Sequence, residues 1–465
     1  MHRTKQWLLL SVSVFFFMKA NAQINSPFSR YGIGDDYANQ NTRYLGIGGM
    51  TAAFSDQQAL NTSNPASYGE MRTMGALGGL ATYDLGFNIN SHSLKSIDPA
   101  GTYKSNNFSP AYFSMGIPLA KKGFGMVFGL KPITSINYGI KEQNSVPVSG
   151  FPDSVKNYNT VYSGSGGLNQ VFVGLGKRFG HLLIGANVGY DFGKRDIKTQ
   201  TAFDSSYSSG ADPSTAVTRG SIKEAHTALG GFVWEGGLQY EIPLTKKVDA
   251  ETKITTSSSL TIGATIGLKQ DIKTKATNSF YTYYANDPDN PIGQDTIQNS
   301  SEVKGTITLP MTYKLGIMYN NYQENVDRWG VGAEYNSTSW GSDYRENGIA
   351  EPSYADSWML RGGVYFRPSP LRGKNMFSRA RYSVGFYTGK DKLTFGNNDY
   401  NTQAVTLGMG FMLRNFNRTS RQYSLVNAAF EVGRRGDNSN NVSESFMKFS
   451  LGFSLSDFWF IKRRY

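Results

Sequence analysis

The chain has 465 residues, of which 39% are hydrophobic and 14% aromatic, with 52 glycines, no cysteine and a formal net charge of +12. The lack of cysteine excludes a disulfide scaffold, a thiolate metal site and the lipid attachment that a lipoprotein requires. Beyond residue 22 there is no run of eighteen apolar residues, so any residence in a membrane has to rest on strands rather than helices.

The first residues carry Arg3 and Lys5, then an apolar run from Trp7 to Met18, then Ala20-Asn21-Ala22. This pattern predicts a cleaved export signal over residues 1–22, with the mature chain starting at Gln23. Residues 23–72 show no strand alternation. They carry Gly32, Gly34, Gly46, Gly48 and Gly49, an apolar-polar run from Met50 to Leu60, and Asn64-Pro65-Ala66. Glycine turns and apolar residues of this kind are uncommon in disordered tails, so the segment is expected to form a plug inside the structure that follows.

From about residue 73 the dominant signal is a period of two. Leu182, Ile184, Ala186, Val188, Tyr190 and Phe192 share one face, and Gly185, Asn187, Gly189, Asp191 and Gly193 the other. In a barrel wall, successive side chains meet lipid and lumen in turn, whereas a helix would mix the two sets. The separation recurs at 404–414, where Val405, Leu407, Met409 and Phe411 alternate with Thr406, Gly408 and Gly410, and again at 447–455. About fourteen such segments are predicted, near 76–90, 107–119, 124–138, 167–178, 182–198, 226–243, 258–275, 304–320, 329–344, 356–367, 381–395, 403–414, 422–433 and 444–455. Composition alone also fits a soluble β-sandwich or an extracellular repeat protein. The alternation and the aromatic content favour an all-β, transmembrane antiparallel barrel at residues 73–465, in the outer membrane of a double-membraned bacterium.

The links alternate in length. Lys121-Lys122-Gly123 and Gly180-His181 are tight, while 139–166, 199–225, 276–303 and 434–443 are long, polar and expected as outer loops. The link from Lys246 to Ser257 is long for a turn on the short side. Basic residues are scattered through strands and turns, so no nucleic-acid partner is expected; lipid and lipopolysaccharide are the expected surroundings.

No catalytic set is visible. His92, His181 and His226 stand apart, and neither HExxH, a phosphate loop nor a nucleophile elbow occurs. His226 is the one histidine placed to pair with a serine. The oxygen-rich stretch from Asn286 to Asp295 offers the carboxylate and carbonyl oxygens that a calcium ion takes, but it lacks the spacing of an EF-hand and two prolines interrupt it, so a solvated loop is expected. Arg435-Gly436-Asp437 invites an adhesion reading but is a short match of common residues. No metal or cofactor is expected. More informative are charges on the inward face of the alternation, because a charge facing lipid costs about 2–4 kcal/mol at midplane. Asp191, Glu235, Lys314, Glu334 and Arg361 fall there, with Glu241, Lys269, Asp271, Arg367 and Glu431. They form either an internal ion-pair network between wall and plug or a polar substrate path.

Gly46-Ile47-Gly48-Gly49, Ala52-Ala53 and Asn64-Pro65-Ala66, placed before the first strand, resemble the plug of FadL-type outer-membrane transporters. Leu309-Pro310 followed by Leu315-Gly316-Ile317 is similar to a Leu-Pro segment and strand of that family, and the opening Ser26-Pro27-Phe28-Ser29-Arg30-Tyr31-Gly32 is similar to outer-membrane proteins of Bacteroidota. The resemblance implies ligand contacts at Gly48, Gly49, Asn64, Pro65 and Ala66, and passive uptake of a hydrophobic ligand through a plugged lumen. Pro132, which cannot donate to a strand ladder, marks a candidate sideways opening. Relatives of the PorV kind, which hold other proteins at the outer membrane, imply the alternative of a structural subunit docked onto other outer-membrane complex subunits of a secretion or assembly machine.

Overall fold

The computed structural model describes residues 26–71, 79–98, 100–120, 123–148, 151–203, 219–251, 253–284, 293–324, 326–370, 375–395, 398–414, 423–437 and 439–459. The expected export signal lies outside these residues. The wall is a closed antiparallel barrel of fourteen strands. They are β1 (Gly79–Ser96), β2 (Gly101–Ala120), β3 (Phe124–Pro132, continuing as Thr134–Val148), β4 (Phe151–Phe179), β5 (Leu182–Phe203), β6 (Arg219–Val248) and β7 (Thr255–Gly267, continuing as Gln270–Tyr284). Then come β8 (Val303–Leu309, continuing as Thr312–Gln323), β9 (Val326–Thr338), β10 (Ser357–Phe366), β11 (Arg381–Phe395), β12 (Asn398–Arg414), β13 (Tyr423–Arg435) and β14 (Val442–Trp459). Each strand pairs with the next, and β14 returns to β1 from Gly79↔Trp459 to Ser96↔Val442. Both ends of the wall therefore lie at one rim, here the near rim.

The alternation read from the sequence is the alternation of the wall. On β12, Val405 and Leu407 are 57% and 50% exposed while Thr406 between them is 1% exposed. A lipid-facing wall inverts the rule for water-soluble proteins: its large apolar side chains point outward, and its polar groups are buried inside.

The structure corrects the expected links. Much of 139–166 is not a loop: β3 and β4 pair from Ile136↔Gly166 to Pro147↔Val155 and, after a register shift, at Val148↔Phe151. Likewise 194–201 pairs with 221–228, and 279–283 pairs with Gly293–Asn299. The β4 and β6 strands reach 29 and 30 residues, against 13 in β9 and 10 in β10. Crossing a bilayer takes about 9–11 residues, so one half of the wall rises far past the membrane at the far rim. The link after Lys246 is shorter than expected, because β6 continues to Val248 and β7 starts at Thr255.

One joint in the wall is incomplete. β2 pairs with β3 only from Phe113↔Leu130 to Ala120↔Phe124. Past that point β3 turns at Pro132 and Ile133, where Ile133 N donates to Leu168 O at 2.8 Å, and Thr134–Val148 pairs with β4 alone among the wall strands. Proline removes the donor that would have continued the ladder.

Candidate functional site in the lumen

Residues 26–71 contain little regular structure, yet most are buried. They contact the wall from one rim to the other. At the far rim, Phe28 and Ile33 join an apolar cluster with Leu94, Leu393 and Trp340. Trp340, Tyr344 and Tyr354 meet edge-on or tilted at 5.0–5.8 Å between centroids. The segment 340–354, between β9 and β10, thus covers this mouth. At the near rim, Glu70 pairs with Arg178, whose second nitrogen meets Glu241 at 2.6 Å.

Between the rims, the segment's backbone lies against inward-facing glycines of the wall. A Cβ on Gly185 or Gly237 would strike the Asn64-Pro65-Ala66 turn, one on Gly363 or Gly385 would strike Ile47, and one on Gly263 would strike Ala52. Each glycine removes a side chain so that two backbones can approach. Gly316, in the segment resembling the FadL family, serves the same way against Ala52 and Ala53, with its Cβ position 3.1 Å from the Ala52 side chain.

The five residues singled out in the N-terminal segment fall at these contacts. Asn64 caps the short helix Pro65–Glu70: its Oδ1 accepts from Ala66 N at 3.0 Å, and its Nδ2 donates to Ala52 O at 2.5 Å. Pro65 and Ala66 are buried against β5 and β6. Gly48 and Gly49 have φ of +77° and +75°, a conformation that other residues rarely adopt. Gly48 N donates to Thr406 Oγ1 at 2.9 Å, and Gly48 O accepts from Arg361 Nη1 at 2.8 Å.

The inward charges separate into distinct groups. Glu334 accepts from both Thr51 N and Ala52 N at 2.6 Å, a carboxylate holding two successive backbone donors. Asp191 accepts from Gln170 and Glu235 from Asn187, at 2.8 and 3.1 Å. Lys314 is half-buried on β8, opposite Asn336 and Thr265. Lys269 and Asp271 depart from the expectation. Both are exposed, Lys269 on Asp343 and Asp271 on Thr308, because β7 bends between Gly267 and Gln270 and leaves the regular alternation.

A chamber of about 280 Å³ lies beside the segment toward the far rim. Its walls are charged and paired: Lys392 with Asp36 at 2.6 Å, Arg435 with Asp35 at 3.0 Å and Asp391 at 2.8 Å, Lys448 with Glu431 at 3.1 Å, and His92 with Glu444. Arg435 of the Arg-Gly-Asp match is thus a lumenal residue. A second recess, about 300 Å³, opens at the incomplete β2–β3 joint between Leu85, Phe113, Leu130, Pro110 and Pro132. Here Asp35–Asp36 pairs with Thr134 and Ser135 of β3, Tyr37 N donates to Ile133 O at 2.9 Å, and the Tyr37 hydroxyl reaches Ser109 on β2. The N-terminal segment bridges the two strands that the wall leaves apart.

Sequence reasoning missed a deeply buried cluster. Arg43 Nε meets Asp56 at 2.5 Å and its Nη2 meets Asp327 at 3.2 Å; Arg367 Nη2 meets Asp327 at 2.9 Å; Arg381 lies over the Tyr365 ring at 3.7 Å. Only Arg367 was singled out by alternation. Arg43 and Asp327 stand 284 residues apart, and no local pattern links them.

His226 pairs with Asp196 at 3.0 Å and is exposed, and His181 sits at the β4–β5 turn. Among the described residues, neither is hydrogen-bonded to a serine side chain. The stretch from Asn286 to Pro291 lies outside the described residues, and Asp295 pairs with Arg219 at 2.7 Å.

No curated protein matches the chain. Among solved structures it is similar to a FadL homologue of Pseudomonas aeruginosa, at 11% identity over 90% of this chain and 99% of that one, with a TM-score of 0.56. It is also similar to a mutant of the monoaromatic hydrocarbon channel TodX, at 17% identity over 91% and 100% of the two chains and a TM-score of 0.51. The toluene transporter TodX of P. putida gives 14% identity over 91% and 99% at a TM-score of 0.50. At such identities the likeness is one of fold, that of a FadL-type barrel. The model of one family spans residues 3–465, and the chain belongs to that family, BamG.

Proposed function

We propose that the protein is a structural subunit, a closed outer-membrane barrel that docks onto a larger outer-membrane assembly, in a role like that of PorV. The observation that carries this reading is the nature of the lumen. Pockets for hydrophobic ligands carry only a small number of polar groups among apolar side chains, whereas the chamber beside the N-terminal segment sets several ion pairs beside its apolar residues Leu45, Met359 and Phe446. The far mouth is covered by Trp340, Tyr344 and Tyr354. In this reading residues 1–22 are a cleaved signal, 23–72 a permanent plug and 73–465 the barrel. Gly48, Gly49, Asn64, Pro65 and Ala66 anchor the plug, and Glu334 and Arg361 hold it. The tall half of the wall, formed by β3 to β7, offers the docking surface for partner subunits.

Purification of the tagged full-length chain from native membranes in a gentle detergent tests the proposal. Stoichiometric recovery of other outer-membrane proteins is expected. A chain that always runs alone, with and without chemical crosslinking, would sink the idea.

A second reading rests on the apolar recess at the β2–β3 joint: a small hydrophobic molecule passes sideways through the wall there. Uptake of such a molecule by vesicles carrying the purified protein would favour it, provided that Leu130→Asp abolishes the uptake.

A further inference from the structure

Pairing in the buried arginine cluster is uneven. Among the described residues, Arg43, Arg367 and Arg381 form direct ion pairs with two carboxylates, Asp56 and Asp327, so three guanidinium groups share two partners. The nearby Asp84 is turned elsewhere, accepting from Asn41 Nδ2 at 2.9 Å and from Leu60 N at 2.6 Å. Side chains of Arg43, Arg381 and Asn427 are 5%, 3% and 2% exposed as residues. Among the described residues, Arg43 Nη1, Arg381 Nη2 and both amide atoms of Asn427 have no hydrogen-bond partner. All three residues line a cavity of about 10 Å³ between the N-terminal segment, β11, β12 and β13. That is room for one small particle.

The space exists because position 410 is glycine. A Cβ there would lie 2.7 Å from Asn427 Oδ1 and 3.6 Å from Arg43 Nη1, inside the cavity. A buried donor without a partner costs about 1–3 kcal/mol, and more when charged. Several such donors lining one small void, in a cluster where three guanidinium groups share two directly paired carboxylates, define a site for an anion.

We propose that this cavity binds a single small monovalent anion, chloride, held by Arg43 Nη1, Arg381 Nη2 and the Asn427 amide. The anion neutralises the cluster and ties the N-terminal segment, through Arg43, to β11 and β13 of the wall.

Full-length protein crystallised with bromide in place of chloride tests the site. An anomalous bromine peak is expected between Arg43, Arg381 and Asn427; an ordered water there without anomalous signal overturns the proposal. Gly410→Ala, which fills the void, and Asn427→Asp, which supplies an internal negative charge, are both expected to lose the peak. Retention of bromide in Asn427→Asp would also overturn it, and this variant serves if Gly410→Ala does not fold. In detergent solution, thermal unfolding of the wild type is expected a few degrees higher in sodium chloride than in sodium gluconate at equal ionic strength. That difference should vanish in Asn427→Asp, and equal midpoints in the wild type count against the site.

Discussion

The wall and the N-terminal segment are built on opposite principles. The wall takes its order from backbone ladders running through fourteen strands, and side-chain chemistry decides only which face meets lipid. The segment has almost no ladder of its own. Its course is fixed by side chains of the wall that reach its backbone: Glu334 on Thr51 and Ala52, Arg361 on Gly48, Thr406 on Gly48, Gln239 on Ala52. The wall should therefore tolerate loss of inward polar groups, and the segment should not.

The largest test strikes the wall alone. Leu407 is half exposed on the outward face near the middle of β12, so Leu407→Arg is expected to cost about 2–4 kcal/mol of barrel stability in bilayers. Urea titration of folding into vesicles measures it, and a loss below about 0.5 kcal/mol would argue that this face does not meet lipid. Next comes the contact between the two regions. Gly185→Val places a side chain against Pro65 and should cost about 1–3 kcal/mol through overpacking. Its signature is faster proteolysis within residues 26–71 while the wall stays resistant; equal protection of both would contradict the division.

Asn64→Ala removes the cap of the short helix and is expected to cost about 1 kcal/mol, again read as cleavage in the segment before the wall. The smallest effect belongs to the cover at the far rim. A hydrogen bond from Lys269 holds the Asp343 carboxyl below the usual carboxylate range, against an opposing effect of burial, with Met311 N adding to the lowering. A depressed folded pKa stabilises above the usual carboxylate range, and that contribution is lost as pH falls through the folded value. Because Lys269 is exposed, Asp343→Asn should change stability at neutral pH by no more than about 0.5 kcal/mol. It should also flatten the acid limb of the thermal midpoint against pH; an unchanged acid limb would mean that the pair contributes nothing.

The same contrast explains what could be read from the sequence. Each of the fourteen alternating segments overlaps one wall strand, since lipid outside and polar lumen inside impose period two on any strand within the bilayer, but 329–344 runs past the end of β9 at Thr338 into the short helix Trp340–Asp343. Strand ends were missed where both faces are wet. Residues such as Lys141, Glu142, Asn144 and Ser145 lie in a ladder, but no apolar face marks it. Asn64, Gly48 and Gly49 stand out only through the resemblance to the FadL plug, and the cap and left-handed turns that they form are visible in the structure. The Arg43, Arg381 and Asn427 site was not legible, because it joins a segment before the first strand to strands near the end of the chain, and an inward arginine beside an apolar ring looks in sequence like any strand charge.

The joint between β2 and β3 also has a mechanical meaning. In a hoop, lateral tension is carried equally by every seam and opens the one with the shortest bonded length. The place where the chain ends meet is not that seam, since β1 and β14 are laced from Gly79 to Ser96. β2 and β3 are laced only from Phe113 to Ala120, and beyond that a two-residue strand of the N-terminal segment and the ring of Tyr37 complete the hoop. A barrel pulled from its side gives way there first, and its yield strength is set by a stretch of chain that is not part of the wall.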